Sequence, residues 1–156
     1  MKIVVGADHR GRGAMDAVAE KLTASGHEVV HAEGCSDGPC DYPVPAYYVG
    51  RTVASGQADR GVLICGTGIG VSIAANKVAG VRAALVSDDL TAELSRTHND
   101  ANVICLSADL LSQRQIEDFV VAFMRHEFEG GRHARRLERI TAIEAGGNPE
   151  AVETTA

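Results

Sequence analysis

Five short apolar runs, each followed by a longer amphipathic stretch, constrain this chain more than any other feature. They lie at Lys2–Ala7, Glu28–His31, 61–65, 82–86 and 102–106. Their apolar character is nearly continuous instead of alternating, which fits strands buried on both faces of a parallel sheet whose crossovers are helices. Helical patterns follow at 13–25, 45–55, 69–78, 89–97 and 112–126, with a last one at 131–144. Strand and helix alternating in this way predict a single Rossmann-like (flavodoxin-like) α/β domain, with three α/β/α layers around a five-stranded parallel sheet. The domain is expected over residues 1–145, and the stretch from Gly146 to the carboxyl terminus, 146–156, as a flexible tail.

The composition narrows what such a domain can do. A length of 156 residues leaves no room for a separate substrate domain. A net charge of -6, three Phe, three Tyr and no Trp argue against a nucleic-acid or anionic-membrane surface, which needs basic patches or stacking rings. Any anion must therefore be held by a local site. No run of 18 apolar residues occurs, and the first strand begins at the amino terminus in place of a signal peptide, so a cytoplasmic protein is expected. Cys35, Cys40, Cys65 and Cys105 are too scattered for a disulfide scaffold. Cys35 and Cys40 can pair or bind a metal, but a lone C-x4-C is a weak metal signal.

In an open parallel sheet the ligand lies beyond the carboxyl ends of the strands. That selects Asp8-His9-Arg10-Gly11, Cys65-Gly66-Thr67-Gly68-Ile69-Gly70 and Ser87-Asp88-Asp89. Gly66, Gly68 and Gly70 link a buried strand to a helix, so backbone N–H groups there can approach and cradle an anion. The spacing is neither a dinucleotide fingerprint nor a Walker loop, and a tight structural turn would use the same glycines. Cys65 stands directly before the cradle. A cysteine at a helix start beside cations has its pKa lowered from about 8.5 toward neutrality and is suited to take a proton; a buried Cys is also an ordinary packing residue. Cys105, on an apolar strand, belongs to the packing class.

His9 and His98 stand at strand ends or loops among polar neighbours, where a histidine acts as acid or base or simply caps a turn. Arg132 and Arg136 share one face at the start of the last helix. There they oppose the helix dipole, a cost that a bound phosphate would offset; a solvated basic face interleaved with Glu138 and Glu144 is the alternative reading. Tyr42, in Asp41-Tyr42-Pro43, offers a hydroxyl to a polar ligand or packs a rigid turn.

Taken together, Gly6-Ala7-Asp8-His9, Asp41-Tyr42-Pro43, Cys65 to Gly70, Ala74-Ala75-Asn76-Lys77, Thr97-His98-Asn99-Asp100 and Gly130-Gly131-Arg132-His133 resemble the ribose-5-phosphate isomerase B family, in order and spacing, from residue 2 to about 145. The resemblance implies a cofactor-free, metal-free aldose-ketose isomerase that interconverts ribose 5-phosphate and ribulose 5-phosphate through an enediolate. It implies Cys65 as the base, Thr67 as its assistant, and the N–H groups of Gly66, Gly68 and Gly70 as an oxyanion hole. His98 would open the sugar ring with Asp8 and Asn99, Tyr42 would meet sugar hydroxyls, and His9, Arg132 and Arg136 would hold the phosphate. It also implies a homodimer, or a tetramer, whose sites are shared between subunits, with the His98 loop serving the neighbour. Galactose-6-phosphate isomerase subunits are similar, but each of their two types lacks part of this set, whereas one chain here carries all of it.

Two segments depart from the pattern. Ser107-Ala108-Asp109 places an acid where many members carry a phosphate-reaching Arg, and Arg10 and Arg12 come after His9 where small or apolar residues are common. One of these arginines is expected to compensate. An altered phosphate end leaves open a tetrose 4-phosphate or allose 6-phosphate as substrate. From the residues alone, a non-catalytic module binding a nucleotide or sugar phosphate also stays open, as does a metal or redox protein using Cys35, Cys40 and the histidines.

Overall fold

A computed structural model describes residues 1–35 and 38–152. Its strands are β1 (Lys2–Ala7), β2 (Glu28–His31), β3 (Arg60–Cys65), β4 (Ala83–Leu85) and β5 (Val103–Ser107). All pair in parallel, in the order β2-β1-β3-β5-β4. The helices are α1 (Arg12–Ala24), α2 (Pro43–Ala54), α3 (Ile69–Ala75), α4 (Asp89–Thr97), α5 (Gln113–Arg125) and α6 (Arg132–Glu144). The expected single three-layer α/β/α domain is what forms.

Strand periodicity divides the core in two, because successive side chains point to opposite faces. Ile3, Val5, Val62, Ile64, Ile104 and Leu106 meet α1, α4 and α5 on one face. Val4, Leu63, Cys65, Val103 and Cys105 meet α2 and α3 on the other. Every residue of β3 is buried, and each large apolar side chain so enclosed contributes roughly 1.5–3 kcal/mol. The central strand is thus a stiff support for whatever sits at its end.

Four expected elements are shorter than their patterns: α5 by a residue at each end, α6 by one at its start, and α3 and β4 for reasons the side chains show. The α3 helix stops at Ala75 and not at 78, because the Asn76 side chain leaves the helix direction for the sheet edge. Its amide donates to the Ser72 and Ala83 carbonyls at 2.9 and 2.8 Å and accepts the Ala83 N–H at 2.9 Å. The edge strand β4 keeps only Ala83–Leu85 of 82–86, since the Arg82 N–H turns to the Asn102 side chain at 2.8 Å. Ser87-Asp88-Asp89 proves to be a helix start: the Asp88 carboxylate accepts the Thr91 N–H at 2.7 Å in a capping box. Of the expected tail, Pro149–Ala151 form a 3-10 turn capped by Asn148, and 153–156 lie outside the described residues. Cys35 and Cys40 are joined as a disulfide, Cα to Cα 5.9 Å. Among the described residues no helix is long and apolar enough to cross a membrane.

Candidate active site

The strand order runs outward from β1 in both directions, so the switch point, where ligands bind in such sheets, lies at the carboxyl ends of β1 and β3. Asp8 leaves β1 buried, and its Oδ1 accepts the N–H groups of Arg10 and Gly11 at 2.9 and 3.0 Å. Its carboxylate therefore shapes the turn that presents His9 and Arg10. Gly11 is obligatory here, because a Cβ would lie 2.4 Å from the Ile64 carbonyl oxygen. The exposed His9 ring reaches the backbone of Cys40. Depending on tautomer, Nδ1 donates to the carbonyl at 3.2 Å or accepts the N–H at 3.4 Å.

Cys65 ends β3 with its side chain buried, and Sγ accepts the Gly68 N–H at 3.2 Å. Gly68 adopts φ +74 as the N-cap of α3, a conformation L side chains rarely take. Between them Thr67 projects outward, its Oγ1 accepting the Ile69 N–H at 3.3 Å. The Tyr42 ring lies across Gly70, where a Cβ would come within 2.6 Å of it. The cradle thus has a thiol at its base, a hydroxyl at its lip and a phenol as one wall.

The turn after β5 locks this loop, through a residue to which the sequence assigns no role. Ser107 is buried; its hydroxyl donates to the Gly66 carbonyl at 2.6 Å and accepts the Leu110 N–H at 3.0 Å. A polar residue closing an otherwise apolar strand was the available signal. Beyond it the Asp109 carboxylate takes the Arg10 guanidinium in a fork at 2.8 to 3.3 Å. That hydrogen bonding, then the carboxylate's charge, raises the Arg10 pKa. Of Cys65 and Cys105, the latter is enclosed on all sides, and burial first, then Cys65, pushes its thiol well above the usual range. Cys105 stays a protonated packing residue.

His98 is elsewhere. It caps the carboxyl end of α4, just before β5. Because Cys65 pairs with Ser107 and Gly61 with Val103 in parallel register, the two sites are separated by about 13 Å along the strands. Around His98 the loops are tied by ion pairs: the Asp100 carboxylate takes Arg82 at 2.7 Å and Arg96 at 2.9 Å. The buried His133 ring stacks on His98, with centroids 4.1 Å apart and planes at 12°. Burial, then the positive neighbours His98, Arg132 and Arg136, lower the His133 pKa, opposed by Glu129. The neutral ring accepts from Arg132 Nε at 3.4 Å. His98, Glu129 and His133 offer ligand atoms within 4.8 Å of one another. The stacked rings nevertheless hold their lone pairs in separate planes, and one ion cannot lie in both.

The expected residues therefore form two groups. Asp8, His9, Tyr42, Cys65, Gly66, Thr67, Gly68 and Gly70 gather at the carboxyl ends of the strands, with Arg10 and Asp109. His98, Asn99, Arg132 and Arg136 gather with His133 at the amino end. Within one chain the structure does not bring Cys65 to His98, nor Asp8.

Known proteins share this fold. A family model described as Ribose/Galactose Isomerase matches residues 3–140. Ribose-5-phosphate isomerase B of Escherichia coli (strain K12) is 43% identical over 143 residues, covering 92% of this chain and 96% of that protein. The solved ribose-5-phosphate isomerase B of Clostridium thermocellum superposes with a TM-score of 0.91 at 42% identity, covering 94% of this chain and 99% of that one. That of Mycoplasma genitalium, solved with bound ribulose-5-phosphate, gives 0.87 at 41% identity, covering 92% and 96%.

Proposed function

The chain belongs to the ribose/galactose isomerase family, and from that premise we propose that it interconverts ribose 5-phosphate and ribulose 5-phosphate through an enediolate, with Cys65 as base. One observation carries the reading: Sγ of Cys65 stands at the end of a fully buried strand and accepts the Gly68 N–H at 3.2 Å, at the start of a glycine loop. The Cys65 sulfur takes the proton from C2 of the open-chain aldose. Electron density then moves to the C1 oxygen, and return of the proton to C1 yields the ketose. Backbone N–H groups of Gly66 and Gly70 stabilise the enediolate oxygen while that of Gly68 holds the sulfur, and the Thr67 hydroxyl relays protons between the oxygens.

Ring opening comes first and needs an acid at the ring oxygen. His98 serves there, with Asn99 and Asp8 orienting the sugar; Tyr42 meets its hydroxyls, and His9, Arg132 and Arg136 hold its phosphate. The separation of about 13 Å between Cys65 and His98 along the strands supports assembly of each site from two copies. A homodimer brings the His98 end of one chain to the Cys65 end of the other. The apolar groove between α6 and the β4 edge, with Val81, Ala83, Ile140 and Ile143 on its walls, suits such an interface. The reaction needs no cofactor, and a cytoplasmic setting fits its substrates.

The test is turnover in deuterated water, with kcat/KM compared across tetrose, pentose and hexose phosphates. Ribose 5-phosphate is expected to rank first and to acquire deuterium at C2. No turnover and no label with any of these sugars overturns the reading.

A further inference from the structure

The Asp8 carboxylate fixes the backbone at Arg10, so this side chain departs from a rigid point. Its guanidinium crosses to Asp109, whose sequence position is 99 residues away, and Nε and Nη2 both engage the carboxylate at 2.8 to 3.3 Å. The pair lies against the first glycine of the anion cradle: a Cβ on Gly66 would stand 3.0 Å from Asp109 Oδ2 and 3.1 Å from Arg10 Nε. It is open to solvent, with the Arg10 side chain 56% and the Asp109 side chain 37% exposed. An exposed ion pair is held weakly. A guanidinium fork fits a phosphate as well as it fits a carboxylate, and the phosphate brings more charge.

We propose that Arg10 is the cation that receives the substrate's phosphate at the Cys65 end of the site, and that Asp109 is the counter-charge with which the phosphate competes for it. This rests on the isomerase reading and adds the residue pair that sets how tightly the dianion is held. With Asp109 engaged, the wall beside Gly66 is neutral, and an arriving dianion turns the Arg10 fork toward itself. The carboxylate remains nearby, its backbone N–H held on the Gly66 carbonyl at 3.0 Å, and its charge tempers the affinity.

The experiment measures inorganic phosphate binding by calorimetry, together with KM and kcat for ribose 5-phosphate, on the full chain and on Arg10→Ala, Arg10→Lys, Asp109→Asn and Arg10→Ala/Asp109→Asn. Arg10→Ala is expected to weaken phosphate binding and raise KM about tenfold, with the change on KM and not on kcat. Arg10→Lys, which keeps the charge without the fork, falls between it and the parent. Asp109→Asn tightens phosphate and lowers KM about threefold, and the double variant lies between the two single ones. Phosphate affinity indifferent to Arg10 overturns the proposal. Weaker phosphate binding in Asp109→Asn, or a fall in kcat alone in Arg10→Ala, also overturns it and leaves the pair as a loop fastener. If the parent protein turns over no sugar phosphate, yet phosphate affinity falls in the order Asp109→Asn, parent, Arg10→Ala, the isomerase reading fails and the pair stands. Turnover with affinity indifferent to Arg10 is the reverse case.

Discussion

The two ends of the sheet hold their functional side chains by different means. At the carboxyl end, backbone N–H groups do the holding: Gly68 binds Cys65, Arg10 and Gly11 bind Asp8, and Ile69 binds Thr67. At the amino end, side chains hold one another, through the His98–His133 stack and the Arg82–Asp100–Arg96 ion pairs, while Arg132 and Arg136 project into solvent. The first arrangement fixes a reacting atom to a strand end. The second presents cations outward beside a stacked pair of rings.

The sharpest way to break this contrast is at the thiols. Cys65→Ala is expected to lower kcat by about 10²–10⁴-fold and to abolish deuterium incorporation at C2, as for loss of a general base. Cys105→Ala, on the neighbouring strand but buried and protonated, keeps the labelling. Equal loss in both variants would remove Cys65 from its special position.

A mixing experiment addresses the division itself. Cys65→Ala and His98→Ala are each inactive alone in the proposed dimer. Unfolded together and refolded, they form mixed dimers in which one site has both groups intact, and activity should return to about a quarter of the parent level. No recovery, with mixed dimers demonstrated by mass spectrometry, would mean that both groups act within one chain.

Rigidity at the carboxyl end can be probed separately. Gly11→Ala drives a Cβ to 2.4 Å from the Ile64 carbonyl oxygen, whereas Gly13, two residues on in α1, has nothing within 4 Å. Urea unfolding should show Gly11→Ala less stable by about 2–3 kcal/mol. Gly13→Ala should be neutral or up to about 1 kcal/mol more stable, from helix propensity. Similar stabilities would show a turn that yields.

The inner strands β1, β3 and β5 were legible because burial on both faces leaves a nearly unbroken apolar run, as Val62, Leu63 and Ile64 show in β3, whereas the edge strands β2 and β4 are not buried on both faces as their apolar runs suggested. The α3 end was not, since the Asn76 side chain bonds to Ala83 on the sheet edge as well as to Ser72 in its own helix. Cys65 and the glycines could be found from local order alone. The distance from Cys65 to His98 depends instead on strand direction: one residue ends β3 and the other precedes β5. The Arg10–Asp109 pair spans 99 positions and leaves no periodic trace, so the sequence suggested a compensating arginine without choosing between Arg10 and Arg12.

The smallest effect comes from protonation at the amino end. Burial and positive neighbours hold the folded His133 pKa below its ordinary value, so below about pH 6.5 the unfolded chain binds a proton more readily than the folded one. Stability therefore falls as pH drops through that value and levels off once the folded ring is also protonated. His27 adds to the slope in the same direction, because burial, then the amino terminus and Arg60, lower its pKa as well. His133→Gln removes one of the two contributions, and its Tm should fall between pH 7.5 and pH 5 by roughly 1–3 °C less than that of the parent. His27→Gln gives the reference for a histidine remote from the stack. An unchanged slope in His133→Gln would mean that the His133 ring is solvated in the folded chain and that its burial does not set its proton affinity.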